Sequence, residues 1–442
     1  MNVQDRPRAV IVGAGFGGLQ AARTLSGSAM EVVLVDYNNH HTFSPLLHQV
    51  AAAELEPGQI AFPIRTGLRD WSNVRFCMAK VKGINLEQRL LDVGHSPISY
   101  DFLILATGST TRLTAVPGVE LHAFPLKSLP QAVRLRNQIL TCFEQAIHEA
   151  DSEQRRQLLT FVIVGGGATG VEMAGSLVDL VQAALSQDYH TLDPQSVRIV
   201  LLHSGDRLLN HLPESLSDYA QTRLRRQGVE IHFHTQVTQV TSEAVQLQAG
   251  LSIPTATVIW AAGVQGALPK HVWGLPTTRN NQVAVLSDLS VPGHSNLYAI
   301  GDLANFVQDE RLLPMLAPVA IAQGSAAAKN ILRQLRGQRP LQFHYRHYGS
   351  MAVLGRFAAV AQIGPLMLTG FPAWLLWLGV HWVALKGSRQ RLLTGLDWLW
   401  TYLRRDPVAR LILVPTQLDS KIPLETAIAG LTDRAKSRNA SP

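Results

Sequence analysis

Short unbroken apolar runs, each ending in glycine or an acid, punctuate the chain. Arg8–Val12 leads into Gly13-Ala14-Gly15-Phe16-Gly17-Gly18. A helical stretch follows to about Leu25, and Glu31–Val35 is a second apolar run, closed by Asp36. Runs of this length without polar alternation read as strands buried on both faces, and the helix between them makes a βαβ unit. The plan recurs 152 residues later: Phe161–Val164, then Gly165-Gly166-Gly167-Ala168-Thr169-Gly170, a helix from Val171 to about Leu185, and Arg198–Leu202. Two such units predict an α/β protein with two Rossmann-like dinucleotide-binding domains. Phe102–Leu105 and Val258–Trp260 are further buried-type strands, ending in Ala106-Thr107-Gly108 and Ala261-Ala262-Gly263. Leu297–Ile300 runs into Gly301-Asp302. Small residues at a strand end let a cofactor or another backbone come close.

The remaining pattern sets the organisation. Ser109–Leu129, rich in Thr, Pro and Gly, reads as an interdomain connection. Val283–Ile300 reads as strands returning to the first domain, and Leu316–Leu335 as a helix starting at or just after Pro318. This divides the chain into a first domain made of 1–118 and 285–345, a second domain of 119–284, and a C-terminal region of 346–442. Ala9–Val12 meets glycines almost at once, so the expectation is a first strand and not a signal peptide.

The C-terminal region has a different texture. From Phe357 to Leu385, 29 residues contain no Asp, Glu, Lys or Arg, but Gly364, Pro365, Gly370 and Pro372 interrupt them. The 13 residues after the last proline make about 20 Å of helix. A bilayer core needs about 30 Å, so a span is not expected. Leu392, Leu393, Leu396, Leu399, Trp400 and Leu403 then recur at helical spacing, flanked by Arg389, Arg391, Arg404 and Arg405. That pattern predicts a helix lying in the membrane interface; a dimerisation surface or a buried core helix would show the same spacing. From Lys386 onward there are ten Lys/Arg against five Asp/Glu, and five of the eight tryptophans lie between Trp374 and Trp400. A basic, Trp-rich end fits a membrane surface.

Composition excludes several classes. Of 442 residues, 46% are hydrophobic and 16% charged, which suits a large buried core and not a disordered chain. The net charge of +7 includes no run of five basic residues, so nucleic acid is not expected as a partner. Cys77 and Cys142 are 65 residues apart, which rules out a disulfide scaffold and a redox dithiol of CxxC type. Among sixteen histidines, His232 and His234 would share a strand face, and His344 and His347 would lie one turn apart in a helix. Neither pair has a third ligand nearby, so no metal is expected.

The glycine turns carry the chemistry. Gly13, Gly15 and Gly18 fit G-x-G-x-x-G: a tight turn, close approach of backbone to a pyrophosphate, and close helix–strand packing. Phe16 and Gly17 lie inside the same turn, and the pyrophosphate would sit at the helix N-terminus. Asp36 is placed to bind an unphosphorylated ribose, as in the adenosine half of FAD. Gly165, Gly167 and Gly170 repeat the pattern, but His203 stands where an acid would follow the second strand. An acid there would repel a 2′-phosphate, so NADPH is expected to be tolerated beside NADH; Asp206 close by could play the acid's part. Ala106, Thr107, Gly108, Ala262, Gly263, Gly301 and Asp302 complete the expected cofactor contacts.

With these residues in hand, the chain resembles the type II NAD(P)H dehydrogenases: single-subunit, FAD-containing NAD(P)H:quinone oxidoreductases that pump no protons. The likeness runs from about Arg8 to about Leu413. It rests on the two glycine turns, Pro45-Leu46-Leu47-His48-Gln49-Val50-Ala51, Phe62-Pro63-Ile64-Arg65, Leu126-Lys127-Ser128-Leu129, Ala299-Ile300-Gly301-Asp302 and Gly370-Phe371-Pro372-Ala373-Trp374-Leu375-Leu376-Trp377. The resemblance implies a glutathione-reductase-like flavoprotein fold with a membrane-associating helical end, peripheral (monotopic) attachment at the cytoplasmic face, and a quinone as electron acceptor. It leaves a homodimer open. It implies a catalytic role for Glu172, which spacing alone does not separate from an ordinary helix-start acid. The family's quinone segment has the form Ala-Gln-x-Ala-x-Gln-Gln-Gly; here it reads Ala317-Pro318-Val319-Ala320-Ile321-Ala322-Gln323-Gly324. Pro318 and Ala322 replace two glutamines, leaving Ala317, Pro318, Ala322 and Gln323 as expected quinone contacts. A relative acting on a naphthoquinone, such as a phylloquinone precursor, is one alternative. A flavin reductase of a soluble electron carrier and a membrane-docked flavin redox sensor are others.

Overall fold

A computed structural model of the chain describes residues 6–114, 116–268 and 273–413. The remaining predicted positions, including the last basic residues from Lys421 on, lie outside the described residues.

The first sheet has six strands in the order Ser290–Val291, His294–Ala299, Phe102–Leu105, Arg8–Val12, Glu31–Asp36 and Val74–Met78. All pairs are parallel except the first, an edge hairpin. Ile11 is level with Leu34 on one side and Ile104 on the other, so the most apolar run holds the centre. Its side chains are buried, as a sheet covered on both faces requires. The second sheet is wholly parallel, in the order Ala123–Pro125, Thr257–Trp260, Thr160–Val164, Arg198–Leu202 and Val229–His232. In each sheet the strand before the glycine turn sits between the strand closed by Asp36 or His203 and the strand closed by a small-residue triplet. The direction of winding reverses there, which is where such sheets bind ligands.

The two domains are joined by a ribbon. Ser109–Thr111 leaves the first and pairs antiparallel with Val264–Gly266, which returns from the second. After the helix Ala317–Leu335, three antiparallel strands follow (Gly349–Val353, Ala359–Ile363, Leu366–Thr369), then two helices, Gly370–Ala384 and Ser388–Arg404. The largest hydrophobic cluster joins the second domain, residues 43–60 of the first, the three strands between 349 and 369 and the C-terminal tryptophans into one core.

Several expectations are corrected here. His344 and His347 lie in irregular chain, not on a helix. His232 ends its strand and His234 has a positive φ of 51°, so they do not share a strand face. No group of three metal-ligating side chains occurs among the described residues. Pro372 does not precede the first C-terminal helix but falls within its first turn, where a missing N–H costs nothing. Of the five clustered tryptophans, Trp374, Trp377 and Trp398 are buried in the common core; only Trp382 and Trp400 are half exposed. The tryptophan clustering is therefore mostly a packing signal.

Candidate active site

The first glycine turn is built by exclusion of side chains. A Cβ on Gly13, whose φ is 105°, would collide with the Ala106 carbonyl, and one on Gly18 with the Gly13 carbonyl. A Cβ on Gly15 would meet nothing within 4 Å, so open space lies over the helix N-terminus, where a pyrophosphate would rest. Asp36 points back at the turn: Ala14 N–H donates to Oδ2 at 2.7 Å and Asn38 N–H to Oδ1 at 2.8 Å. Burial raises its pKa against these two bonds. Gly17 and Gly324 let the turn's helix and the Ala317–Leu335 helix touch backbone to backbone. Ile300 and Gly301 pack beside that contact, Ile300 against Gly17 and Gly301 against Ala320. The Asp302 carboxylate accepts from the Ser109 hydroxyl and lies 3.4 Å from Lys127 Nζ. Thr107 Oγ1 is buried with no partner in the protein, an unspent polar atom in the cradle.

The second turn has the same construction. A Cβ on Gly165 would press on the Ala261 carbonyl and one on Gly170 on the Gly165 carbonyl, while Gly167 faces open space. Gly263 takes a φ of 70°, and its carbonyl accepts from Arg112 N–H at 3.0 Å. His203 occupies the place that Asp36 holds in the first domain. Its Nδ1 accepts the Gly166 N–H at 3.2 Å. The proton of the neutral ring is therefore on Nε2. Burial lowers its pKa below the usual value, which disfavours a positive charge facing the ribose.

Glu172 lies one turn further along the Ala168–Gln187 helix than expected, beyond the reach of the first-turn dipole. Its side chain is 12% exposed, and Val353 N–H lies 3.4 Å from Oε1. Its Oε2 is 3.7 Å from Nδ1 of His48. Burial pushes the Glu172 carboxyl up to about 8. Burial and His381 push His48 down to about 3. At neutral pH the contact thus joins a protonated acid to a neutral imidazole, not an ion pair. Trp377 packs against His48 (5.9 Å between ring centroids) and stacks on His381 at 4.2 Å, so the C-terminal helix forms a wall of this site.

A cavity of about 210 Å³ opens beside the first turn, lined by Phe16, His41, Phe62, Trp71, Ile321 and Lys386, among others. His41 donates from Nδ1 to the Ala14 carbonyl at 3.0 Å, leaving Nε2 buried without a partner. Burial pushes its pKa down to about 4. Of the residues expected to hold quinone, Ala317 and Ala322 are half-buried and Pro318 is exposed. Gln323 is buried, and its Oε1 accepts the Gly301 N–H at 2.6 Å. Its carbonyl oxygen is thus committed to the cradle; Ile321 is the side chain this segment adds to the cavity.

His48, within the segment Pro45–Ala51, and His381, Glu54 and Asp179 are site residues that the sequence pattern does not mark. Their partners lie on other elements and carry no local spacing signal. Cys77 and Cys142 are unpaired.

Two glycine-turn dinucleotide folds in contact through Glu172 and His48 define the class of pyridine nucleotide oxidoreductases. In agreement, residues 7–324 match the family model described as pyridine nucleotide-disulphide oxidoreductase. The type II NADH:quinone oxidoreductase Ndh of Mycobacterium tuberculosis is 36% identical over 90% of this chain and 88% of its own length. NdhA of the same organism is 35% identical over 91% and 88%. The structure of NDH2 from Plasmodium falciparum in complex with NADH superposes with a TM-score of 0.84 at 18% identity, over 92% of this chain and 100% of that one. The sulfide:quinone oxidoreductase of Aquifex aeolicus shares the fold at a TM-score of 0.69 and 15% identity, over 94% of each chain. The chain belongs to the type II NADH:quinone oxidoreductases.

Proposed function

We propose that this chain is an FAD-dependent enzyme that moves electrons from NADH to a lipid-soluble quinone without pumping protons. The observation that carries this reading is the pair of open glycine-turn cradles, one in each domain, together with the contact between Glu172 of the second domain and His48 of the first. FAD fits the first cradle by two features of these residues: the open space at Gly15 and the unpartnered Thr107 hydroxyl. Gly13, Gly15, Asp36, Thr107, Gly301 and Asp302 would hold it. Bound there, it would supply the hydride acceptance from the nicotinamide and the two-electron delivery to the quinone that no side chain here can provide. Gly165, Gly167, Gly170, Ala262 and Gly263 would hold the nicotinamide dinucleotide. Glu172, neutral at pH 7, keeps a proton where the two domains meet, and the apolar walls around His48 and Trp377 exclude water.

The cavity beside Phe16 and Ile321 would admit the quinone. Its lining is mostly apolar, which favours a quinone held by ring contacts. A naphthoquinone is the finer reading this supports. NADPH is read as a second donor, because no acid ends the Arg198–Leu202 strand.

Attachment would be peripheral, at the cytoplasmic face. Among the described residues no helix is long and apolar enough to cross a membrane. Leu392, Leu396, Leu399 and Leu403 stand exposed along one helix and Leu375 and Val383 on the other. Arg404 lies over the Trp400 ring at 5.7 Å, as at a headgroup boundary. The test is anaerobic: NADH should bleach the flavin of the purified holoenzyme, and menadione or a short-chain ubiquinone should restore its colour. Bleaching that only a protein electron carrier reverses would reject the quinone reading.

A further inference from the structure

Two carboxylates, the buried Glu54 and the half-buried Asp179, have no part in the reading above. Glu54 Oε2 accepts from Gln49 Nε2 at 3.0 Å, and the Ser176 side chain lies close enough to the same carboxylate to oppose the rise of its pKa. Asp179 Oδ2 accepts from Arg356 N–H at 2.7 Å. Glu172, Ser176 and Asp179 sit at i, i+4 and i+7 of the Ala168–Gln187 helix, one face, with Cβ atoms of successive members about 5–6 Å apart. The strands Gly349–Val353 and Ala359–Ile363 close over this face. Val353 and Arg356 direct their amides at Glu172 and Asp179, and a Cβ on Gly175 would lie 2.5 Å from Gly355 N.

The outer end of the row opens into a second cavity of about 210 Å³, lined by Glu54, Asp179, Arg223, Gln227, Arg356 and Tyr402, among others, with exposed Arg405 at its rim. Glu54 Oε1, Arg223 Nε, Gln227 Oε1, Arg356 Nε and Thr401 Oγ1 are all buried with no partner in the protein. Buried polar atoms of this kind pair with ordered water. The cavity has the polarity and the room to hold several molecules.

Quinone reduction needs such a connection. NADH releases a hydride, which is one proton and two electrons. A quinol carries two electrons and two protons, so NADH + H⁺ + Q gives NAD⁺ + QH₂, and one proton comes from water in each turnover. We propose that this proton enters through the second cavity, passes to Asp179 and Glu54, crosses the Ser176 hydroxyl, and reaches Glu172. Glu172, Ser176, Glu54 and Asp179 are positioning and relay groups in this scheme, and the inference rests on the quinone-reductase reading.

The electrostatic setting agrees. Burial pushes Glu54 up to about 8 and Asp179 up to about 7, beside about 8 for Glu172, so a proton moves among the three with little loss. Asp179 faces Arg356, Arg223 and Arg405, which oppose its rise. Glu54 faces Asp179, and the buried Tyr402 hydroxyl stands 3.5 Å from Gln49 Nε2. Glu172 faces His48, which in turn faces His381.

The test uses the full-length holoenzyme with Glu54→Gln, Asp179→Asn and the milder Ser176→Ala. Stopped-flow reduction of the flavin by NADH should keep its rate in all three. Turnover with menadione should fall on the order of tenfold or more, with a larger solvent deuterium isotope effect, and millimolar formate should restore part of it. Infrared titration of the apo protein adds a readout free of turnover: Glu54→Gln should delete one protonated-carboxyl band that titrates near pH 8. Wild-type turnover, isotope effect and infrared spectrum in the variants would overturn the route. Equal slowing of flavin reduction, without formate rescue, would also overturn it and make the row structural. If the wild type itself fails to reduce menadione with NADH, the fault lies in the quinone reading and not in the route.

Discussion

Glu54 offers a measurable link between burial and stability. Its ordinary pKa of 4.5 rises to about 8 in the folded protein, chiefly by desolvation. Below pH 4.5 the group is protonated folded or unfolded, and has no effect on their balance. Between 4.5 and 8 the unfolded chain has lost the proton while the folded protein keeps it. Stability is therefore fully present at low pH and drains away as pH rises to about 8, then levels off. At about 1.4 kcal/mol per pKa unit, the loss for this one group approaches about 5 kcal/mol. Asp179 and Glu172 add losses of the same sign over nearly the same range. Glu54→Gln removes one of the three while leaving an amide oxygen to accept the Gln49 N–H. Chemical denaturation in mild detergent at pH 5, 6, 7, 8 and 9 should show wild-type stability falling with pH and a flatter curve for the variant. The variant should exceed the wild type at pH 9 by several kcal/mol, on the order of the figure above. Parallel curves, or a wild type that gains stability from pH 5 to 8, would refute the burial argument for Glu54.

Three further outcomes are expected. Gly15→Val should abolish flavin content without unfolding the protein, because its side chain enters open space that the pyrophosphate would need; the cofactor released from wild type by denaturation should chromatograph as FAD, not FMN. Replacing Leu392, Leu396 and Leu399 together by Gln should release the enzyme from anionic vesicles in a flotation assay while NADH still reduces the flavin, since these side chains are exposed and the core tryptophans are untouched. His203→Glu should raise KM for NADPH about tenfold relative to NADH, the effect of about 1.4 kcal/mol of charge repulsion at a 2′-phosphate; an unchanged ratio would mean that this side chain does not face the ribose.

The parts of the site that were legible in the sequence are those fixed by short stretches of chain. Gly13 to Asp36 and Gly165 to His203 each span one βαβ unit, and steric exclusion at Gly13, Gly18, Gly165 and Gly170 demands glycine at set spacing. The helix Ala317–Leu335 was announced by Pro318 at its start. What stayed hidden depends on contacts across hundreds of residues. Trp398 donates to Gln49, 349 positions away, and Val353 approaches Glu172 from 181 positions away. His203 was legible as a departure from the pattern, but not the lowering of its pKa, which comes from burial against Gly166 and Gly205. The hairpin between 349 and 369 was also missed, because its strands are apolar on both faces and its glycines looked like simple breaks.

The ribbon between the two domains has an evolutionary consequence. Arg112 N–H and the Gly263 carbonyl are 3.0 Å apart, so the whole segment 112–263 begins and ends at one point. A stretch of chain with adjoining ends can be removed from its host, or set into another, without spanning any distance. The second domain is in this sense a cassette set into a loop of the first. Joining residue 111 to residue 264 by a short turn would leave the hydrogen-bonded ribbon as an ordinary hairpin, and the excised cassette would keep its own complete parallel sheet. An exchange of this segment would keep both chain junctions, but the incoming segment would have to rebuild the core it shares with residues 43–60 and the two C-terminal helices.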